Sequence, residues 1–273
     1  MKKFFPRLLL TSLLFLAIPS LAQAVGGTET SQYLAMDKKS QDGFIASYAS
    51  NFGWMLSPEK PLIISASGIQ LIKKWVDIYA KRVGTSNPQT GTEDLRKVFE
   101  RGVQYAPVIN EVFEKEKVLE TFGITLALLE TEFQPCPAKA KGKGMFAIVA
   151  PATPKGEDLC EVDKGAVAAA KLLKARIAEF GKDGTSVALA ILSIKRGSAA
   201  VKRDFAVLIK EKDAGGGLWE ILAEPDAKKF DKAFMDDGVN YLPKFIAAAI
   251  VAESPETFGL KAYPLSTYAP QKK

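Results

Sequence analysis

The chain has no histidine among its 273 residues. That excludes a Ser-His-Asp or Cys-His catalytic group and removes the commonest zinc ligand. Cysteine is scarce too: Cys136 and Cys160 are the two present, too few to make a structural zinc site alone. No metal and no cofactor are expected. Acid–base chemistry near neutral pH would fall to a carboxyl, lysine, tyrosine or cysteine with a displaced pKa. Strand-like alternation is sparse and no internal repeat is evident. Beyond the first two dozen residues no run is long and apolar enough for a membrane span.

What is present begins with MKKFFPRLLLTSLLFLAIPSLAQA. A basic start, a short apolar stretch and Ala22-Gln23-Ala24 read as a secretory signal peptide cut after Ala24; a membrane anchor is the alternative. No cysteine stands at the cleavage site, so no lipid anchor is expected. The expectation is a periplasmic or secreted protein with no membrane anchor after cleavage; its oligomeric state is left open. Residues 1–24 hold three of the 37 basic residues and none of the 31 acidic ones, which leaves 34 against 31, or +3. That charge is too mild to argue for nucleic acid. In an exported chain two cysteines default to one disulfide, with two free thiols as the alternative. A bridge would close a loop of about 25 residues and stabilise by roughly 3 kcal/mol in the chain-entropy model.

Apolar spacing predicts a mainly α protein. SGIQLIKKWVDIYAKRVG puts Ile69, Ile72, Trp75, Val76, Tyr79 and Val83 on one helical face, stopped by Gly84. Thr92 reads as the cap of a helix carrying Leu95, Val98 and Phe99. Another starts near Pro107 and uses Val108, Val112 and Phe113. Asp163 reads as the cap of a helix with Val167, Leu172, Leu173, Ile177 and Phe180, ended by Gly181. TSVALAILSI reads as a buried helix, and DAGGGLWEIL as a turn entering one. The last carries Val239, Leu242, Phe245, Ile246 and Ile250. Residues 25–65 suggest no firm element, and residues 263–273 read as a loose tail.

ITLALLETEFQPC, Ile124 to Cys136, contains two carboxylates at a helix end. Residues two apart on a helix point about 200° apart, so one of them faces the core or a cleft. Glu130 falls with Leu126, Leu129 and Phe133, whereas Glu132 falls with Thr125 and Leu128. A carboxyl on the more apolar face loses solvation, its pKa should rise, and a raised pKa suits a general acid. The competing reading is a half-exposed glutamate paired with a lysine.

LALLETEFQP resembles the segment that holds the catalytic glutamate in the lysozyme-like lytic transglycosylases, glycoside hydrolase family 23. GKGMFAIVAPAT resembles that family's G-L-W-Q-(I/F)-M-P-x-T segment, and SVALAILSIKRGSAAV stands where it has A-L-A-A-Y-N-A-G. NYLPKFIAAAIVAESPETFGL is similar to the N-Y-V-P-K ending of the membrane-bound murein transglycosylase D subgroup, whose early helix RGVQYAPVINEVFEKE also resembles. The order of these segments, over about residues 98–260, carries the resemblance. It implies a lysozyme-like (goose-type lysozyme / lytic transglycosylase) helical catalytic domain over residues 98–262. Residues 1–24 would be the signal peptide, 25–97 an N-terminal helical extension and 263–273 the tail.

The family cuts the β-1,4 bond between N-acetylmuramic acid and N-acetylglucosamine in peptidoglycan with one glutamate, so glycan strands are the implied partner. The resemblance assigns the acid to Glu130, with Thr131, Met145, Phe146, Ala147, Ser193 and Tyr241 around the substrate. The departures are plain. The family's glutamine falls at Ala147, its Tyr-Asn pair at Leu192 and Ser193, and the following loop is basic, with Lys195 and Arg196. Losing such groups removes hydrogen bonds of roughly 1 kcal/mol each. Two explanations stay open. One is an enzyme of altered specificity for de-N-acetylated or modified glycan, with Glu132, Glu157 or Asp158 as auxiliary acids; Lys139, Lys141 and Lys143 argue partly against an amine-bearing sugar and would instead contact glycan carboxylates or form a solvated loop. The other is a non-catalytic peptidoglycan-binding module or partner of a wall enzyme. An inverting hydrolase would want a second carboxylate about 6.5–9.5 Å from the first. A Cys136–Cys160 bridge would tie down one wall of the cleft.

Overall fold

The computed structural model describes residues 31–89, 91–138, 142–149, 156–206 and 217–269. The expected signal peptide, Lys139 and Lys141 lie outside them. Among the described residues the chain is helical, with two isolated β-bridges and no strand. The helices are α1 (Gln32–Ala35), α2 (Lys38–Leu56), α3 (Ala66–Ala80), α4 (Leu95–Lys115), α5 (Glu120–Thr131), α6 (Val162–Phe180), α7 (Gly184–Arg196), α8 (Ser198–Asp204), α9 (Gly217–Ala223) and α10 (Val239–Glu253). None is long and apolar enough to cross a membrane.

The core centres on α10. Leu242, Phe245, Ile246 and every residue from Ala247 to Ala252 are buried. A helix apolar all round must be covered all round, and α3, α5, α2 and α7 do so. The α5 helix is enclosed in the same way from Phe122 to Leu128, between α4 and α10. Gly123 allows this: a Cβ there would stand 2.6 Å from the Phe113 ring.

Several expectations shift on the details. The cap of α4 is Asp94 and not Thr92, because its carboxylate accepts from the backbone N–H groups of Gly84 (2.9 Å) and Arg96 (3.0 Å) and so closes the preceding loop as well. The break expected near Pro107 does not occur: α4 runs through it. The ring removes one backbone bond, but buried Val98, Phe99, Ala106, Ile109 and Phe113 on either side hold the helix against α5 and α6. Val108 faces solvent rather than the core. Helix α6 starts at Val162, with Glu161 as the capping residue and Asp163 in the first turn, where a carboxylate complements the helix dipole. The segment thought featureless holds the 19-residue α2. It contributes Ile45, Ala49, Phe52 and Leu56 to the core, interleaved with Ser and Gly that blur the pattern.

The tail expected to be loose is docked. Leu265 is fully buried, and the Asn110 carboxamide of α4 donates to the carbonyls of Leu265 (3.0 Å) and Tyr268 (2.9 Å). Residues 270–273 lie outside the described segments. At the other end, Tyr33 packs on Phe258 with ring centroids 5.2 Å apart. The line drawn between residues 97 and 98 falls inside α4.

Candidate functional site

Helix α5 delivers Glu130 to the floor of a cleft of ≈ 560 Å³. The helix ends one residue later for a local reason. Glu132 and Phe133 both take left-handed backbone (φ 53° and 59°), which costs free energy for residues with a Cβ. The cost is offset on both sides. The Glu132 carboxylate forms a two-pronged pair with Arg82 (2.7 and 2.9 Å), and Arg101 donates to its carbonyl (3.2 Å). Phe133, thrown back by the turn, is fully buried against Gly102. Glu132 is therefore a clamp at the end of α5 and not an auxiliary acid in the cleft. The helical-face comparison placed it correctly away from Glu130, but the helix on which that comparison rests stops before Glu132.

The Glu130 side chain is 6% exposed. The Tyr241 hydroxyl donates to one carboxylate oxygen at 2.8 Å, and the Lys195 ammonium donates to the other at 3.0 Å. The expected solitary carboxyl among apolar neighbours is instead held between a phenol and a cation. Tyr241 comes from α10, buried at its base, and its pKa is pushed well up by burial, then by the charge of Glu130 and the bond to it. It remains a neutral donor at any physiological pH. Lys195 stands on the last turn of α7 rather than in a loop and also lies over the Tyr241 ring, 5.9 Å from its centroid.

The opposite wall is the turn Lys143–Ile148, closed by a backbone bridge between its ends. Phe146 and Ala147 line the cleft, and Met145 is buried behind them. Ala147 is left-handed (φ 46°). The Thr131 hydroxyl donates to the Met145 carbonyl at 2.6 Å, so the residue after Glu130 fastens this wall to α5. The disulfide joins Cys136 to Cys160, 24 positions apart with Cα atoms 4.8 Å apart, and encloses the wall between its ends. Reduction should lower stability by about 3 kcal/mol for a loop of this length. A thermal melt with and without reductant measures it, and an unchanged midpoint would remove the bridge from the account.

Ser193 does not reach the cleft. It is 1% exposed, and its hydroxyl donates to the Ala190 carbonyl (2.7 Å); Leu192 is equally buried. The residues of α7 that line the cleft are Ile194, Lys195 and Arg196. Glu157 and Asp158 are exposed and do not line the cleft; Asp158 accepts from the Cys160 backbone N–H (3.0 Å). Lys143 is exposed at the base of the turn, also outside the lining.

Among the charged residues that line the cleft, Asp237 and Lys244 were not singled out from sequence. Asp237, in the π-helical turn Phe234–Gly238, is the other carboxylate among the described residues that line the cleft. Lys244 follows Tyr241 by three positions, a spacing that shares a helical face and is the signal that would have found it. It is half-buried, with its ammonium 4.2 Å from the Trp75 ring centroid. Its pKa is pushed down by burial, Asp237 and Glu130 opposing and Lys195 and Lys74 adding to the effect. Among the described residues no group of three or more metal-ligating side chains occurs.

Tyr241 shares its upward shift with Tyr33 and Tyr79, in each case through burial first. A phenol whose folded pKa is raised stabilises fully below its unfolded value, about 10, and that stability is lost as pH rises beyond it. Urea midpoints should fall between about pH 8 and pH 11, and Tyr79→Phe should flatten the fall. A midpoint independent of alkaline pH would contradict the burial of these rings.

No family model matches the chain, and neither a curated protein nor a solved structure matches it.

Proposed function

We propose that the chain is a peptidoglycan glycosidase with a lysozyme-like helical fold, cleaving the β-1,4 bond between N-acetylmuramic acid and N-acetylglucosamine. The observation that carries the reading is the Tyr241–Glu130 hydrogen bond, which spans 111 positions. Glu130 and Tyr241 were singled out in separate segments of the sequence, and here they touch. The other two segments supply the remaining walls. Phe146 and Ala147 come from the glycine-rich one. Ile194 and Lys195 come from the third, two positions beyond Leu192 and Ser193. Aligning that segment on Gly197, which ends α7, puts the family's Tyr-Asn pair at Ile194 and Lys195. The disulfide fits an oxidising compartment, as export to the wall requires.

In this reading Glu130 gives a proton to the glycosidic oxygen as the bond from C1 breaks. The resulting carboxylate then takes a proton from the attacking hydroxyl. If that hydroxyl is the sugar's own C6 group the product carries a 1,6-anhydro end; if it is water the product has a reducing end. Tyr241 orients the carboxyl throughout by donating to one oxygen; the other, held here by Lys195, is the one the chemistry would use.

The Lys195 ion pair favours a second reading, a glycan-binding module that does not cut, because it occupies the carboxylate oxygen that Tyr241 does not hold. Digestion of purified sacculi, acetylated and de-N-acetylated, separates the readings. The enzyme releases soluble muropeptides, and mass spectrometry assigns anhydro products as lighter than hydrolytic ones by one water. Sedimentation with sacculi without release from either type would leave the binding module.

A further inference from the structure

We infer that Lys195 and Lys244 form a carboxylate-recognising subsite in the cleft, and that a glycan carboxylate binding there draws Lys195 away from Glu130. The inference rests on the glycan-cleft reading above and names what the cleft prefers to hold.

Among the described residues three cations line the cleft: Lys195, Arg196 and Lys244. Arg196 is committed elsewhere, to Asp204 and Asp231. Lys195 is differently placed. Its side chain is 32% exposed, it faces the cleft, and it rests on the carboxylate proposed to do the chemistry. Lys244 spreads over the Trp75 ring rather than standing out in water, and half-burial disfavours its charge. The anions that line the cleft with them are Glu130 and Asp237. A carboxylate entering beside the two ammonium groups would relieve their mutual repulsion and supply charge-assisted hydrogen bonds. Once Lys195 bonds that carboxylate, Glu130 keeps Tyr241 and is released from its cation. Specificity and unmasking of the acid then come from one side chain. A lysine has donors and a full charge but no acceptor, so it selects an anion where an asparagine would pair with an acetamido group.

Peptidoglycan offers this chemistry in two forms, the lactyl carboxylate of muramic acid and the carboxylates of the stem peptide. The test compares three soluble glycans of equal length. Denuded strands carry free lactyl carboxylates, peptide-bearing strands carry peptide carboxylates, and N-acetylglucosamine oligomers carry neither. Binding is read by calorimetry and by Trp fluorescence, Trp75 being in contact with Lys244, in a Glu130→Gln background where strands are not cut. The expected result is binding of one carboxylate-bearing glycan about tenfold or more tighter than the neutral oligomer, as one charge-assisted hydrogen bond supplies. The preference should fall to within about twofold in Lys195→Asn/Lys244→Met. Lys195→Asn alone, at an exposed position, should lower it and serves if the double variant does not fold.

Whichever strand type carries the preference identifies the carboxylate. Equal binding of all three glycans, a preference that survives both substitutions, or no binding at all would overturn the inference. Cleavage without preference would overturn it and leave the glycosidase standing. Preference without cleavage by the wild type would do the reverse.

Discussion

Glu130→Gln should cut the release of soluble muropeptides by a factor on the order of 10²–10⁴, the usual contribution of a positioned general acid, while binding to sacculi persists. Glutamine is close to isosteric, and its carbonyl oxygen can still accept the Tyr241 hydroxyl bond that Glu130 accepts at 2.8 Å. What is lost is the titratable oxygen and the pairing with Lys195. The thermal midpoint should therefore move little. Tyr241→Phe supplies the matching control: it removes the hydroxyl but not the acid, so it should reduce turnover less than Glu130→Gln does. If Glu130→Gln kept release within tenfold of the wild type, the acid would have to be sought elsewhere, first at Asp237, the other carboxylate lining the cleft.

Arg196→Met should be strongly destabilising although it lies outside the proposed chemistry, at about 3–5 kcal/mol for breaking a buried ion pair from one side. The Arg196 side chain is 7% exposed and that of Asp204 1%. Arg196 bonds Asp204 and both carboxylate oxygens of Asp231, and its guanidinium lies over the Phe234 ring, 5.4 Å from the centroid. Removing it leaves Asp204 enclosed with Arg203 as its remaining cation. Arg203 is largely exposed, so it holds the loss to the low end of the range and does not abolish it. The network also fixes the end of α7, one residue from Lys195. Urea denaturation should show the loss as a lowered midpoint, and glycan affinity should weaken with it. A midpoint within about 0.5 kcal/mol of the wild type, the range of an ordinary surface substitution, would mean that the pair is not an enclosed one.

Much of this was legible before any coordinates. Helices α3, α7 and α10 follow from apolar spacing because each buries a wide face. The 200° argument separated Glu130 from Glu132, and the structure has Glu130 lining the cleft and Glu132 outside it, although the helix ends between them. What resisted was set by tertiary contacts. Nothing local announces that Glu132 and Phe133 turn left-handed; Arg82, fifty positions earlier in the chain, makes that turn tolerable. The same holds for Pro107, carried through by packing, and for α2, whose serines and glycines hide a helix that neighbours demand. Ser193 against Lys195 was a matter of register at one helix end. A shift of two positions exchanges a core hydroxyl for a cleft ammonium.

The docked tail bears on the order in which the chain can become native. Asn110 sits in the C-terminal half of α4, and the two carbonyls that accept from its Nδ2 lie 155 and 158 positions further on. Tyr33 likewise finds Phe258 only near the other end. Until the segment with Leu265 and Tyr268 is in place, the Asn110 amide has water as its acceptor. The native packing of the core thus includes contacts from segments far apart in the chain, near residues 33 and 265.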